Sequence, residues 1–136
     1  LGMGQTSDSI RALKYIKENC VRLNIRILNF SVGYLPCSDT AERIKILKLI
    51  DELWDMGVVV VAAAGNYGPA PFSVTVPGTS MATPIVSGAI ALLLEKNPNM
   101  RPEAVKLALY NTCDRAGDSH KGSWGIINVD KLVGIL

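Results

Sequence analysis

The stretch that most restricts what this chain can fold into is Val-Val-Val-Val-Ala-Ala-Ala, residues 58–64. A strand with one face in water alternates apolar and polar residues, and this one does not. The run is closed by Gly57 on one side and by Gly65-Asn66-Tyr67-Gly68-Pro69 on the other. A β-branched run bounded in this way reads as a strand covered on both faces, the kind found in parallel sheets between layers of helix.

The flanking segments supply those helices. Residues 6–20 place Ile10, Leu13, Ile16 and Cys20 at helical spacing behind N-cap candidates Thr6 to Ser9. A second strand is expected from Ile25 to Ser31, ending at Val32-Gly33, with a Pro36 loop after it. The next helix is expected over 39–56. Asp39 and Glu42 stand at capping-box spacing, Ile46, Leu47, Ile50, Leu53 and Trp54 form the apolar stripe, and Gly57 is the stop. Phe72 to Val76 reads as a short strand. Residues 78–96 read as a turn and then a helix that is apolar almost all round, hence a core helix. Pro98 ends it, and Pro102 opens another helix that runs to about Thr112. A turn-rich stretch over 114–124 leads to Ile126 to Val129 and Leu132, which close the chain. Helix and strand alternate, so the expected class is α/β, a parallel sheet flanked by helices.

Composition narrows the function. The chain has 136 residues and a net charge of only +2, which suits one domain and disfavours a basic nucleic-acid binder. Its longest apolar runs, 58–64 and 85–94, are too short for a membrane span. No signal-peptide pattern opens the chain, and the first residue, Leu1, suggests a trimmed N-terminus. Cys20, Cys37 and Cys113 have no metal-site spacing and read as small buried thiols.

Two places carry chemistry. In Gly78-Thr79-Ser80-Met81-Ala82 a serine stands where a turn opens into a helix, with small residues two positions away on either side. Such a turn exposes the hydroxyl, and the free N–H groups of the first helical turn favour a developing oxyanion. An ordinary N-cap serine on a core helix gives the same local pattern. Asn66 follows the end of the buried strand, where ligands bind in open parallel sheets and where its amide could donate to an oxyanion. A turn asparagine in the left-handed region gives that pattern too.

Taken together, these segments resemble the subtilisin-like serine proteases, the subtilases. GTSMATPIVSGAIALLLEKNPNMRPEAVKLAL (78–109) is similar to the family's nucleophile segment and its following helices. VVVVAAAGNYGPAP (58–71) is similar to the strand bearing the oxyanion asparagine. ILNFSVG (27–33) is similar to the substrate-aligning strand, and GSWGIINVDKLV (122–133) to the C-terminal stretch. The resemblance implies Ser80 as nucleophile and Asn66, with the backbone N–H of Ser80, as oxyanion hole. It implies Ala64 and Gly65 as one pocket wall, and Ser31, Val32 and Gly33 as the edge that pairs with a polypeptide substrate. It implies serine endopeptidase chemistry and, for most family members, an extracellular setting. No cofactor is implied; calcium is common in the family, but no acidic cluster here suggests a site.

The chain departs from the family in two respects. No Asp-Ser/Thr-Gly segment and no His-Gly-Thr-His segment is present. Only 14 positions separate Asn66 from Ser80, where the family places several strands. Residues 1–136 therefore read as a partial, internally shortened catalytic domain. A serine without an adjacent base is a poor nucleophile, so the chain alone is expected to be inactive. Alternatives remain. One is a non-catalytic folded remnant that self-associates through uncovered sheet edges. Another is an esterase in which Ser80, Asp114 or Asp118, and the single histidine, His120, follow the α/β-hydrolase order. A serine–lysine pair drawing on Lys96, Lys106 or Lys121 ranks below both.

Overall fold

The computed structural model describes residues 5–32, 40–64, 79–115 and 124–134. The elements run α1 (Thr6–Asn19), β1 (Ile27–Phe30), α2 (Thr40–Asp55), β2 (Val59–Ala62), α3 (Thr79–Lys96), α4 (Pro102–Thr112) and α5 (Val129–Gly134). β1 and β2 pair in parallel, with Ile27 opposite Val59 and Phe30 opposite Ala62. This is the α/β arrangement expected from the apolar run, with helices on both faces of a small parallel sheet.

Strand alternation divides the core. Phe30 and Val58, with Leu28 and Val60, face a cluster made with Leu13 of α1 and Ile46, Leu49 and Leu53 of α2. Val59, with Ile27 and Val61, faces Ala89, Ile90 and Leu93 of α3, Val105 of α4 and Leu132 of α5. Burying a side chain such as Leu53, Ile90 or Leu93 completely contributes about 1.5–3 kcal/mol.

Local chemistry sets the boundaries. Helix α1 starts after an extended Gln5, whose N–H donates to the Asp8 carboxylate at 3.0 Å, so the cap is Gln5 with Asp8 rather than a residue between Thr6 and Ser9. Asn24, at φ +50°, turns the chain toward β1. Gly57, at φ +92°, ends α2 as expected. Val58 N–H reaches back to the Leu53 carbonyl at 3.0 Å, and Gly57 N–H to that of Trp54 at 2.9 Å. Pro102 opens α4 as its first residue, where a missing N–H is harmless.

Several expectations are corrected. The α2 stripe is Ile46, Leu49 and Leu53, with Ile50 partly buried against it as expected; Leu47 is 60% exposed, and Trp54 lies at the margin, donating to Glu103 Oε1 at 2.8 Å. The sequence stripe and the real one differ by part of a turn, because apolar residues occupy both rows. Helix α3 is not covered all round among the described residues: Met81, Ile85 and Leu92 are exposed while Ile90 and Leu93 are buried. Cys20 is buried but Cys113 only partly, its thiol 2.9 Å from the Trp124 carbonyl. The closing stretch contains the short helix α5, preceded by an antiparallel bridge between Asp114 and Ile126. Asp39, Cys37, the 72–76 strand and His120 lie outside the described residues.

Arg26 staples the opposite end of the sheet. Its guanidinium donates to the carbonyls of Met100 at 2.6 Å, Gly57 at 3.4 Å, and Pro98. One side chain thus ties the start of β1 to the α2–β2 turn and to the α3–α4 connection.

Candidate active site

The carboxyl ends of both strands and the first turn of α3 meet on one side of the molecule. This follows from parallel pairing: each strand delivers its C-terminal residues to the same edge of the sheet. There Ser31 follows β1, Ala63 and Ala64 follow β2, and Ser80 lies in the first turn of α3. The N–H of Ala63 donates to the Phe30 carbonyl at 3.3 Å, continuing the ladder past β2.

Ser31 and Ser80 are in direct contact, 49 positions apart in sequence. The Ser31 hydroxyl donates to the backbone carbonyl of Ser80 at 3.2 Å. Ser80 is half-buried, and Val32 and Ala64, which follow the two strands, are exposed. Asn66, Gly65 and Gly33 lie outside the described residues.

Three further side chains belong to this contact, and sequence reasoning did not single them out. Asn29 Nδ2 donates to the Ser31 hydroxyl at 3.0 Å. The Ser87 hydroxyl stands 3.1 Å from Asn29 Oδ1 and 3.0 Å from the Thr83 carbonyl, sharing its proton between them. The Thr83 hydroxyl donates to the Thr79 carbonyl at 2.7 Å. A signal was there to be read. Asn29 of β1 and Ser31 just beyond it stand two positions apart, at strand spacing for one face, while Ser80, Thr83 and Ser87 recur at i, i+3 and i+7 on α3. Two polar rows in otherwise apolar elements face each other.

Beside Val32 lies a cavity of about 220 Å³ lined by Phe30, Val32, Arg43, Ile46, Ala62 and Ala63 among others. It is a mostly apolar recess at the strand ends.

The alternative carboxylate is otherwise engaged. Asp114 accepts from Asn128 Nδ2 at 2.8 Å and from the Lys131 ammonium. Those two partners, Lys131 first, hold its carboxyl below the usual carboxylate range. Among the described residues no group of three or more His, Cys, Asp or Glu side chains gathers where a metal could sit. No helix among them is long and apolar enough to cross a membrane.

The described part of this site is a serine in the first turn of a helix set against the ends of two parallel strands in an α/β layer structure. Residues 69–125 match the sequence model of the Subtilase family, and the chain is subtilase-like. It is 26% identical to subtilisin DY of Bacillus licheniformis over 181 aligned positions, covering 95% of this chain and 63% of that protein. It is 28% identical to subtilisin E of Bacillus subtilis (strain 168), covering 94% of this chain and 45% of that one. A shorter match, 45% identical over 51 residues, links 38% of the chain to 12% of the serine protease AprX of Bacillus subtilis (strain 168). The chain thus spans 45–63% of the length of these subtilisins.

Proposed function

We propose that this chain carries the nucleophile half of a serine endopeptidase centre acting on polypeptides. The observation that carries the reading is the 3.2 Å contact between Ser31 and Ser80. It sets an exposed strand end, able to pair with an extended peptide, against a serine in the first turn of a helix. In this reading Ser80 Oγ attacks the scissile carbonyl carbon and its proton passes to a general base. The carbonyl oxygen becomes an oxyanion, held by the Ser80 N–H and the Asn66 amide. The C–N bond then breaks, the amine leaves with a proton, and water releases the acyl group from Ser80. Ser31, Val32 and Gly33 hold the peptide extended, and Ala64 and Gly65 form one wall of the side-chain pocket. The cavity beside Val32 takes a further apolar side chain. An extracellular setting goes with this reading.

The base and the carboxylate that orients it are expected from polypeptide other than these 136 residues, since the family's Asp and His motifs are absent from the sequence. The alignment with subtilisin DY runs to 181 positions, longer than the chain itself, which supports an internally shortened domain. The test is active-site labelling with a fluorophosphonate. The chain alone should not label. Adding a segment that supplies the Asp and His should produce labelling that Ser80→Ala abolishes. Ready labelling of the chain alone, lost in both Ser80→Ala and His120→Ala, would overturn this account in favour of the esterase order. The engagement of Asp114 by Lys131 and Asn128 speaks against that order.

A second reading rests on Met81 and Ile85, 68% and 60% exposed on α3. Exposed apolar side chains on one helix suit a non-catalytic remnant that self-associates. Sedimentation at rising concentration decides: a strict monomer removes this reading.

A further inference from the structure

We propose that Asn29 and Ser31 form a clamp that positions Ser80, by supplying the donor that Pro84 removes from the first turn of α3. Its functional meaning rests on the protease reading above; its physical basis does not.

In an α-helix the carbonyl of residue i accepts from the N–H of residue i+4. For Ser80 that residue is Pro84, which lies inside α3 and has no N–H. The Ser80 carbonyl therefore lacks its regular helical donor by covalent structure. A half-buried carbonyl without a donor is costly, and a helix that starts on such a group frays at that turn. The Ser31 hydroxyl takes the place of the missing N–H, at 3.2 Å.

A hydroxyl can rotate, so something must aim it. Asn29 Nδ2 donates to Ser31 Oγ at 3.0 Å, occupying a lone pair and leaving the proton for Ser80. Asn29 is itself held from the other side by Ser87, whose hydroxyl lies 3.1 Å from Oδ1. The chain of contacts leaves α3 at Ser87, crosses β1 through Asn29 and Ser31, and returns to α3 at Ser80. The amide bond from Asn29 has ordinary length, and the two hydroxyl bonds, at 3.1 and 3.2 Å, are on the long side. Ser31 is thus a positioning residue: it acts on Ser80 through the backbone and leaves the Ser80 hydroxyl free.

The test uses the whole 136-residue chain and needs no protease activity. Ser80→Cys places a thiol at the position, and its alkylation by iodoacetamide under native conditions reports how residue 80 is held. Peptide mapping separates it from Cys20, Cys37 and Cys113. A thiol fixed in a first helical turn is activated, and one in a frayed turn is not. Adding Ser31→Ala should slow alkylation at residue 80 by about threefold or more, the effect of half a unit in thiol pKa. Ser31→Thr, which keeps the hydroxyl, should restore the rate. So should Pro84→Ala on top of Ser31→Ala, because residue 84 then donates within the helix. A rate unchanged by Ser31→Ala overturns the proposal. So does a slowed rate that Pro84→Ala fails to restore, since the loss would then be general loosening. Failure of the fluorophosphonate experiment with these rates as expected would sink the protease reading and leave the clamp standing.

Discussion

Replacing Arg26 by Met should destabilise the fold by about 2–3 kcal/mol, because three backbone carbonyls lose one shared donor group. Each hydrogen bond to a charged group contributes about 1.5–3 kcal/mol when well formed. The Gly57 contact, at 3.4 Å, is long and counts for little. The Pro98 carbonyl is exposed, so water replaces the guanidinium there. The Met100 contact, 2.6 Å and partly buried, carries most of the loss. Methionine keeps the aliphatic stem, so packing changes little. Arg26→Lys should recover less than half of the loss, since an ammonium cannot span three carbonyls on separate segments. Urea unfolding measures this: the midpoint should fall while the slope m stays constant. A loss below about 0.5 kcal/mol for Arg26→Met would refute the staple, because it would fall within the range of ordinary surface substitutions.

Further predictions can be checked on the same chain. Gly125→Ala should destabilise by more than about 1 kcal/mol, for its φ is +136° and a Cβ would lie 2.2 Å from the Asp114 carbonyl oxygen. Gly88→Ala is the matched contrast: nothing lies within 4 Å of its Cβ position in α3, so a gain of about 0.5–1 kcal/mol is expected in thermal unfolding. For Asp114, whose carboxyl is lowered by Lys131 and Asn128, a carbonyl-detected NMR titration should place its midpoint below that of a free aspartate. Lys131→Met should raise that midpoint. Its depressed folded value means the contribution to stability is present above the unfolded carboxylate pKa and is lost as pH falls through the folded one.

How much of this was readable beforehand differs by element. The valine run was decisive, because continuous apolar character over 58–61 leaves few alternatives to a strand covered on both sides. The facing side of a helix was less readable. In α2, Leu47 and Leu49 both fit a 3.6-residue period, and only the position of α1 and β2 selects Leu49. In α3 nearly every position is apolar, so the pattern carries no directional information and does not show that Ile85 is exposed while Ile90 is buried. The six-residue α5 is too short for a periodic signal; its burial depends on Leu132 reaching Ile90 and Leu93 across the molecule. Ser80 is legible from its place where a turn opens into a helix, whereas Ser31 is legible only through the resemblance. Their contact depends on Pro84 and Asn29, whose importance appears only when strand and helix are seen side by side. Asn66, the other half of the expected oxyanion hole, lies outside the described residues.

Val59 and Val60 are neighbours in the chain, yet they serve opposite faces of the sheet. Two separate apolar clusters suggest a melt in two stages. Here neither cluster has a floor of its own: the same pair of four-residue strands provides both. Detaching α1 and α2 strips one side of β2, and with it goes the rigidity on which α3 rests. The two halves should be lost in a single cooperative step.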